Sequence, residues 1–205
     1  MRYKTAKIIL AIFIIALAVL DVWVWRDLSY GNMSMSDSIV VPQVPDIAKS
    51  SMYVPEIVGL PLRLKIPSIA LDAAIEKVAL KTDGSMDVPK DPMNAGWYEL
   101  GYRPGEMGSA VIDGHVDWWY GATGVFANLH KIKPGDKITV QDDAGLVFTF
   151  IVREIRTYNA AADATNIFIS NDGIAHLNLI TCTGAWNKNA NQYSKRLVVF
   201  ADKEL

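Results

Sequence analysis

Cys182, the only cysteine in the 205-residue chain, is the first candidate for chemistry, with His115 and Arg196 as the side chains that could activate it. It lies in the stretch HLNLITCT at residues 176–183, where Leu177 and Leu179 alternate with Asn178, Ile180 and Cys182, the period-two pattern of a half-buried strand. Thr183-Gly184 reads as a stop, so Cys182 is expected at a strand's C-terminal end, held by a sheet and facing whatever the next loop builds. Ala110-Val111-Ile112 runs in the same way into Asp113-Gly114-His115, which puts His115 at a strand end too, after a glycine that permits close approach. Arg196 opens a strand continuing through LVVFA. If the Cys182 and Arg196 strands pair antiparallel, and the His115 strand runs parallel to that of Cys182, the three side chains meet at one edge. A thiolate is then the nucleophile, an imidazolium stabilises it and protonates a leaving amine, and a guanidinium supports a developing oxyanion. Together they describe acyl transfer through a thioester.

Each residue has a plainer reading. Free cysteines are among the most often buried residues, so Cys182 could be inert filler. His115 could be a core histidine and Arg196 half of a surface ion pair. Asp113 or Asp117 could orient His115 as in triad enzymes. Trp118, Trp119, Tyr120, Trp186 and Tyr193 could line a peptide groove or simply pack loops. His130 and His176 read as structural or solvent-facing.

The elements around these residues begin with a membrane signal. Residues 8–25 are apolar except for Asp21 and follow Arg2, Lys4 and Lys7. As a helix this run spans roughly 27 Å, close to the hydrocarbon core of a bilayer, with Trp23 and Trp25 at the outer interface. The reading is a cytoplasmic basic flank at 1–7, a transmembrane signal anchor at 8–25, an extracellular linker at 26–57 and one folded domain at 58–205. A cleaved signal peptide is the rival, but no small-x-small cleavage site follows the apolar block. Outside the membrane structural cysteines tend to pair, so a lone thiol there is either buried or kept for its reactivity.

The linker is rich in Ser, Met, Asp and Pro without a sustained period; as a flexible coil it reaches on the order of 30 Å. From Leu60 onward short strands alternate with turn signals, the mark of an all-β barrel or sandwich. PLRLKIPSI, AAIEKVAL, residues 109–115, KITVQD after the Lys133-Pro134-Gly135-Asp136 turn, residues 146–158, and 196–201 read as strands. Residues 126–129 read as one helical turn, and 160–169 as holding a short helix. With 51% hydrophobic residues, the domain has core enough to fold. A formal charge of −2 gives no reason to expect nucleic acid. The three histidines are scattered and one cysteine builds no structural zinc site, so no metal or other cofactor is expected.

LITC followed by KRLVVFA, with GHVDW upstream, resembles the sortases, whose signature is a TLxTC strand, a histidine after a strand and an arginine on the strand after the cysteine. The resemblance extends from about Leu60 through LRLKIPSIALDA, GWY, RPGEMGSAVIDGHVD and KIKPGDKITV to the C-terminus. It is most similar to class F, or the neighbouring class E, of Gram-positive lineages; Asn178 departs from the usual signature threonine. The resemblance implies a closed β-barrel of about eight strands with short helical turns. It implies that Cys182 attacks the Thr-Gly bond of an LPxTG-like sorting signal, that His115 exchanges protons with the leaving and incoming amines, and that Arg196 holds the carbonyl or oxyanion. The acceptor would be the amine of a peptidoglycan precursor or of another surface protein such as a pilin, and the catalytic domain would sit on the extracellular face of the cell membrane. Some relatives bind calcium, but no acidic cluster stands out here. Two other classes stay open: a plain extracytoplasmic cysteine peptidase, and a tethered surface domain without activity.

Overall fold

The structure is a computed structural model that describes residues 57–204. The basic flank, the anchor and all but the end of the linker lie outside the described residues; among those described, no helix is long and apolar enough to cross a membrane.

The strands are β1 (Pro61–Ile66), β2 (Leu71–Val78), β3 (Ala95–Tyr98), β4 (Gly108–Asp113), β5 (Lys137–Asp142), β6 (Val147–Asn159), β7 (Ala175–Asn187) and β8 (Gln192–Lys203). They close into one barrel in the order β1-β2-β3-β4-β7-β8-β6-β5. This resolves the barrel-or-sandwich choice, because closure leaves no free sheet edge. A single helical turn, α1 (Thr165–Phe168), falls within the 160–169 stretch, and a 3-10 turn at Leu129–Lys131 follows closely on the expected one at 126–129.

Alternation decides what fills the barrel. Leu64 and Ile66 of β1, Ala110 and Ile112 of β4, Ile138 and Val140 of β5, Phe148 and Phe150 of β6, Leu177 and Leu179 of β7, and Leu197, Val199 and Ala201 of β8 form one buried cluster. The opposite face is solvated over much of the barrel, but not at β4. There Val111, Val198 and Phe200 are covered by Ile167 of α1 and form a second cluster. That cover is why Ala110-Val111-Ile112 is buried without a break, and it gives one outer face of the sheet an apolar floor.

β4 and β7 are parallel, with Asp113 level with Ile180, while β7 and β8 are antiparallel, with Cys182 directly opposite Arg196. One expectation is corrected here. β7 does not stop at Thr183-Gly184 but runs on to Asn187, and β8 begins at Gln192 rather than Arg196. Gly184, at φ +84°, sits where the register shifts between Thr183 and Trp186, and a β-carbon there would lie 2.6 Å from Ser194 Oγ. The glycine therefore marks a bulge inside the strand pair and not a terminus. Cys182 is fixed inside the long β7–β8 pair, with Tyr158 of β6 opposite Arg196 on the far side of β8.

Candidate active site

The outer face of β7 presents Asn178, Ile180 and Cys182, and β8 brings Arg196 opposite the cysteine. His115 reaches them through two short contacts: Gly114 N–H donates to Ile180 O at 3.1 Å, and Thr181 Oγ1 donates to Gly114 O at 2.7 Å. Thr181 is only 4% exposed, so that second bond is shielded from water. His115 is further fixed where Phe126 N–H meets its carbonyl at 2.9 Å. Cys182, His115 and Arg196 all line one cleft of about 690 Å³, with Asp113, Ile180, Thr181 and Gln192 beside them. Leu80, Lys81, residues 83–86 and Val88 form part of its wall, and Ile167 and Phe168 of α1 another. The structure thus brings the sequence-derived trio into a common opening.

Electrostatics differ at each member. Burial pushes the Cys182 thiol above its ordinary range; the Arg196 guanidinium pulls it back, and the Asp117 carboxylate, with Asp113 whenever that residue is ionised, pushes it up again. That direction favours the thiol over the thiolate at rest. Arg196 is held by its own hairpin, Nη1 donating to Tyr193 O at 2.9 Å and to Lys195 O at 3.0 Å. Among the described residues no carboxylate pairs with it, so its charge is not neutralised. His115 Nε2 lies 3.1 Å from Pro89 O. A carbonyl can only accept, so Nε2 carries the hydrogen, and in the neutral ring Nδ1 holds the exchangeable lone pair. The imidazole also packs edge-on against Trp118, ring centres 4.7 Å apart.

The Pro89 carbonyl takes the place that the triad-like alternative gave to Asp113 or Asp117. Asp117 instead accepts a hydrogen bond from the Tyr193 hydroxyl, which keeps that phenol protonated up to about 12. The contact links the segment after His115 to the β7–β8 hairpin, where Tyr193 also packs against Trp186, ring centres 5.3 Å apart. Tyr120 projects into solvent. His130 is exposed, with Nδ1 against Ala127 O. His176 is buried between Asp172, 2.9 Å away, and Asp202, 2.7 Å away, at the start of β7, six residues of strand before Cys182. His176 is thus structural and His130 solvent-facing, the two roles read for them. No group of His, Cys, Asp or Glu able to hold a metal occurs among the described residues.

Sequence reasoning missed Thr181, Pro89 and the sealed, unpartnered Oδ1 of Asp113. Thr181 stood next to the candidate nucleophile and was polar on the inward-facing phase of β7, which is the signal that could have flagged it.

With this geometry in place, comparisons with known proteins bear on it. A profile described as the Sortase domain matches residues 64–204. Among solved structures, the fold is similar to a lid mutant of sortase A from Corynebacterium diphtheriae (22% identity, TM-score 0.54, covering 72% of each chain). It is also similar to sortase C1 from Streptococcus agalactiae (22% identity, TM-score 0.54, 70% of this chain and 67% of that one). A Clostridium perfringens sortase D5 transpeptidase matches likewise (22% identity, TM-score 0.53, 72% of this chain and 79% of that one). At such identity these likenesses speak for the fold. Compared with curated protein sequences, the chain matches none. The closed barrel and the profile covering most of the chain lead to one assignment: this protein belongs to the sortase family of cysteine transpeptidases.

Proposed function

We propose that the protein is a membrane-anchored sortase that cleaves an LPxTG-like sorting signal between Thr and Gly and transfers the acyl part to an amine. The observation that carries this is the convergence of Cys182, opposite Arg196 on paired strands, with His115, tied to the Cys182 strand through Gly114.

The steps follow from the groups present. Because the resting thiol is protonated, attack requires that His115 take its proton at Nδ1 while Pro89 keeps Nε2 in place. Sulfur adds to the threonine carbonyl, and the oxygen that gains charge is met by the Arg196 guanidinium. Collapse breaks the Thr–Gly bond; His115 returns its proton to the leaving glycine amine, and a thioester remains on Cys182. An incoming amine loses a proton to His115, attacks the thioester, forms a new amide and restores the thiol. Trp118 packs against the His115 ring, and Trp186 against Tyr193 on the β7–β8 hairpin that carries Cys182 and Arg196.

The acceptor we favour is the amine of a peptidoglycan precursor or of another surface protein of pilin type. Anchoring by residues 8–25, with the 26–57 linker spacing a 58–205 catalytic domain on the extracellular face, rests on the apolar run and its basic flank. Membership of class F, or the neighbouring class E, rests on the sequence details around GHVDW and LITC.

The test is incubation of the full-length chain with an LPxTG peptide, with and without a glycine peptide as amine. A ligated product that depends on the amine supports transpeptidation. Cleavage that ignores added amine would show a cysteine peptidase, and no product together with no inactivation by thiol reagents would show a tethered domain without activity.

A further inference from the structure

Asp113 ends β4 and lines the same cleft as Cys182. Alternation sends Ala110 and Ile112 into the barrel and turns Val111 and Asp113 outward to the cleft floor. On β3 its register partner is Gly96, where an added β-carbon would fall 2.6 Å from Asp113 Oδ1, 2.9 Å from Pro89 Cδ and 3.0 Å from Val78 Cγ1. The carboxyl occupies space that the glycine leaves open, between apolar walls. Its Oδ1 is sealed from solvent and has no hydrogen-bond partner among the described residues. The charged groups that act on it are Lys81 and Asp87, of opposite sign; Cys182 lies within its electrostatic reach on β7, with Arg196 behind the cysteine on β8 and His115 two residues on along its own chain.

Asp113 is half-buried overall, but an ionised carboxylate here gives up hydration at Oδ1 and gains only a bond from its own backbone N–H, so burial outweighs that bond and the neutral acid is the favoured form. Burial accordingly pushes the carboxyl well above the usual carboxylate range. A carboxylic acid that keeps its proton offers one donor and one acceptor. An extended peptide lying along the cleft toward Cys182 presents both kinds of partner from its backbone. A negative charge at the same spot would oppose the thiolate that the reaction needs.

We propose that Asp113 works as an uncharged carboxylic acid that hydrogen-bonds the backbone of the bound peptide beside the scissile bond. This rests on the transfer reading of the cleft and assigns a substrate-contacting role to a residue outside the Cys182, His115 and Arg196 trio.

The experiment uses the full-length chain and its Asp113→Asn and Asp113→Ala variants, with thermal melting to confirm that each is folded. Without substrate, the infrared difference spectrum of wild type minus Asp113→Asn at neutral pH should contain the band of a protonated carboxyl. With an LPxTG peptide and a glycine peptide, Asp113→Asn, which keeps a neutral donor and acceptor, should stay within about threefold of wild-type kcat/KM. Asp113→Ala should lose about five- to tenfold, chiefly through KM, the change expected for one hydrogen bond. Wild-type activity should fall toward alkaline pH as Asp113 ionises, and Asp113→Asn should lack that component. A missing carboxyl band, an Asn variant as impaired as the Ala variant, or an Ala variant equal to wild type would overturn the proposal. A wild type that shows the band yet processes no peptide overturns the transfer reading instead, leaving the uncharged state of Asp113 standing. Should the Ala variant fail to fold, the band and the pH profile of the Asn variant decide.

Discussion

Replacing Thr181 by valine removes one hydroxyl and keeps the shape of the side chain, which makes it a clean probe of how His115 is held. The bond from Thr181 Oγ1 to Gly114 O is 2.7 Å long and buried, and its loss leaves the Gly114 carbonyl short of a donor. A buried hydrogen bond of this kind is worth about 1–2 kcal/mol. For a domain of this size that lowers the melting temperature by roughly 2–8 °C. The bond from Gly114 N–H to Ile180 O remains, so the His115 segment is loosened and not released. A displacement near 1 Å of a catalytic group can remove up to about 100-fold in rate, and we expect kcat/KM for peptide ligation to fall by about 10- to 100-fold. Alkylation of Cys182 by iodoacetamide should change little, because the burial and guanidinium that set the thiol's reactivity are untouched. Thr181→Ser, which restores the hydroxyl, should recover most of the activity. If Thr181→Val ligates and melts like wild type, the hydroxyl does not position His115. Equal losses in alkylation and ligation would also refute the reasoning, since the hydroxyl would then be acting on the sulfur.

Four further outcomes follow from the same geometry. The pH profile of Cys182 alkylation should rise on the alkaline side of an ordinary thiol, and Arg196→Gln should move it further up, because the guanidinium is the main group favouring the thiolate. Gly124→Ala places a β-carbon 2.2 Å from the His115 carbonyl oxygen; it should lower stability by about 1–3 kcal/mol in thermal unfolding and depress ligation more than alkylation. Asn178→Thr shortens the side chain whose Nδ2 donates to Ile167 O at 2.6 Å, and should raise KM for the peptide with little change in kcat by freeing α1 at the cleft wall. Asp113→Asn should raise the melting temperature at neutral pH. The folded chain keeps a proton that the unfolded chain releases once pH passes the ordinary carboxylate range, so wild-type stability declines above that range; the gap between the two proteins should vanish in acid, where both states hold the proton.

Much of the site was legible because alternation is a local property. Leu177 and Leu179 against Asn178, Ile180 and Cys182 placed the sulfur on one face, and the structure puts the leucines inside the barrel. The supposition that β4 runs parallel and β8 antiparallel to the cysteine strand is what brings His115 and Arg196 into reach, and both pairings are present. Closure into a barrel was less legible, since period-two strands fit a sandwich equally well. The bulge at Gly184 was misread because a glycine after a strand signals a stop or a left-handed residue with the same letter. What stayed hidden depends on partners distant in the chain. Pro89 meets His115 across 26 residues and Thr181 meets Gly114 across 67, and neither residue type advertises such a contact. That Asp113 Oδ1 has no partner among the described residues is equally a property of the assembled sheet, where Gly96, Val78 and Pro89 surround it.

The central claim is that Cys182 carries the acyl group with His115 and Arg196 serving the same cleft. Intact-mass spectrometry of the chain quenched during turnover of an LPxTG peptide tests it most directly. The account requires an adduct equal to the peptide less its leaving glycine segment, located on Cys182, released by hydroxylamine and discharged when a glycine peptide is added. An adduct on another residue, or continued ligation by Cys182→Ala, would contradict it.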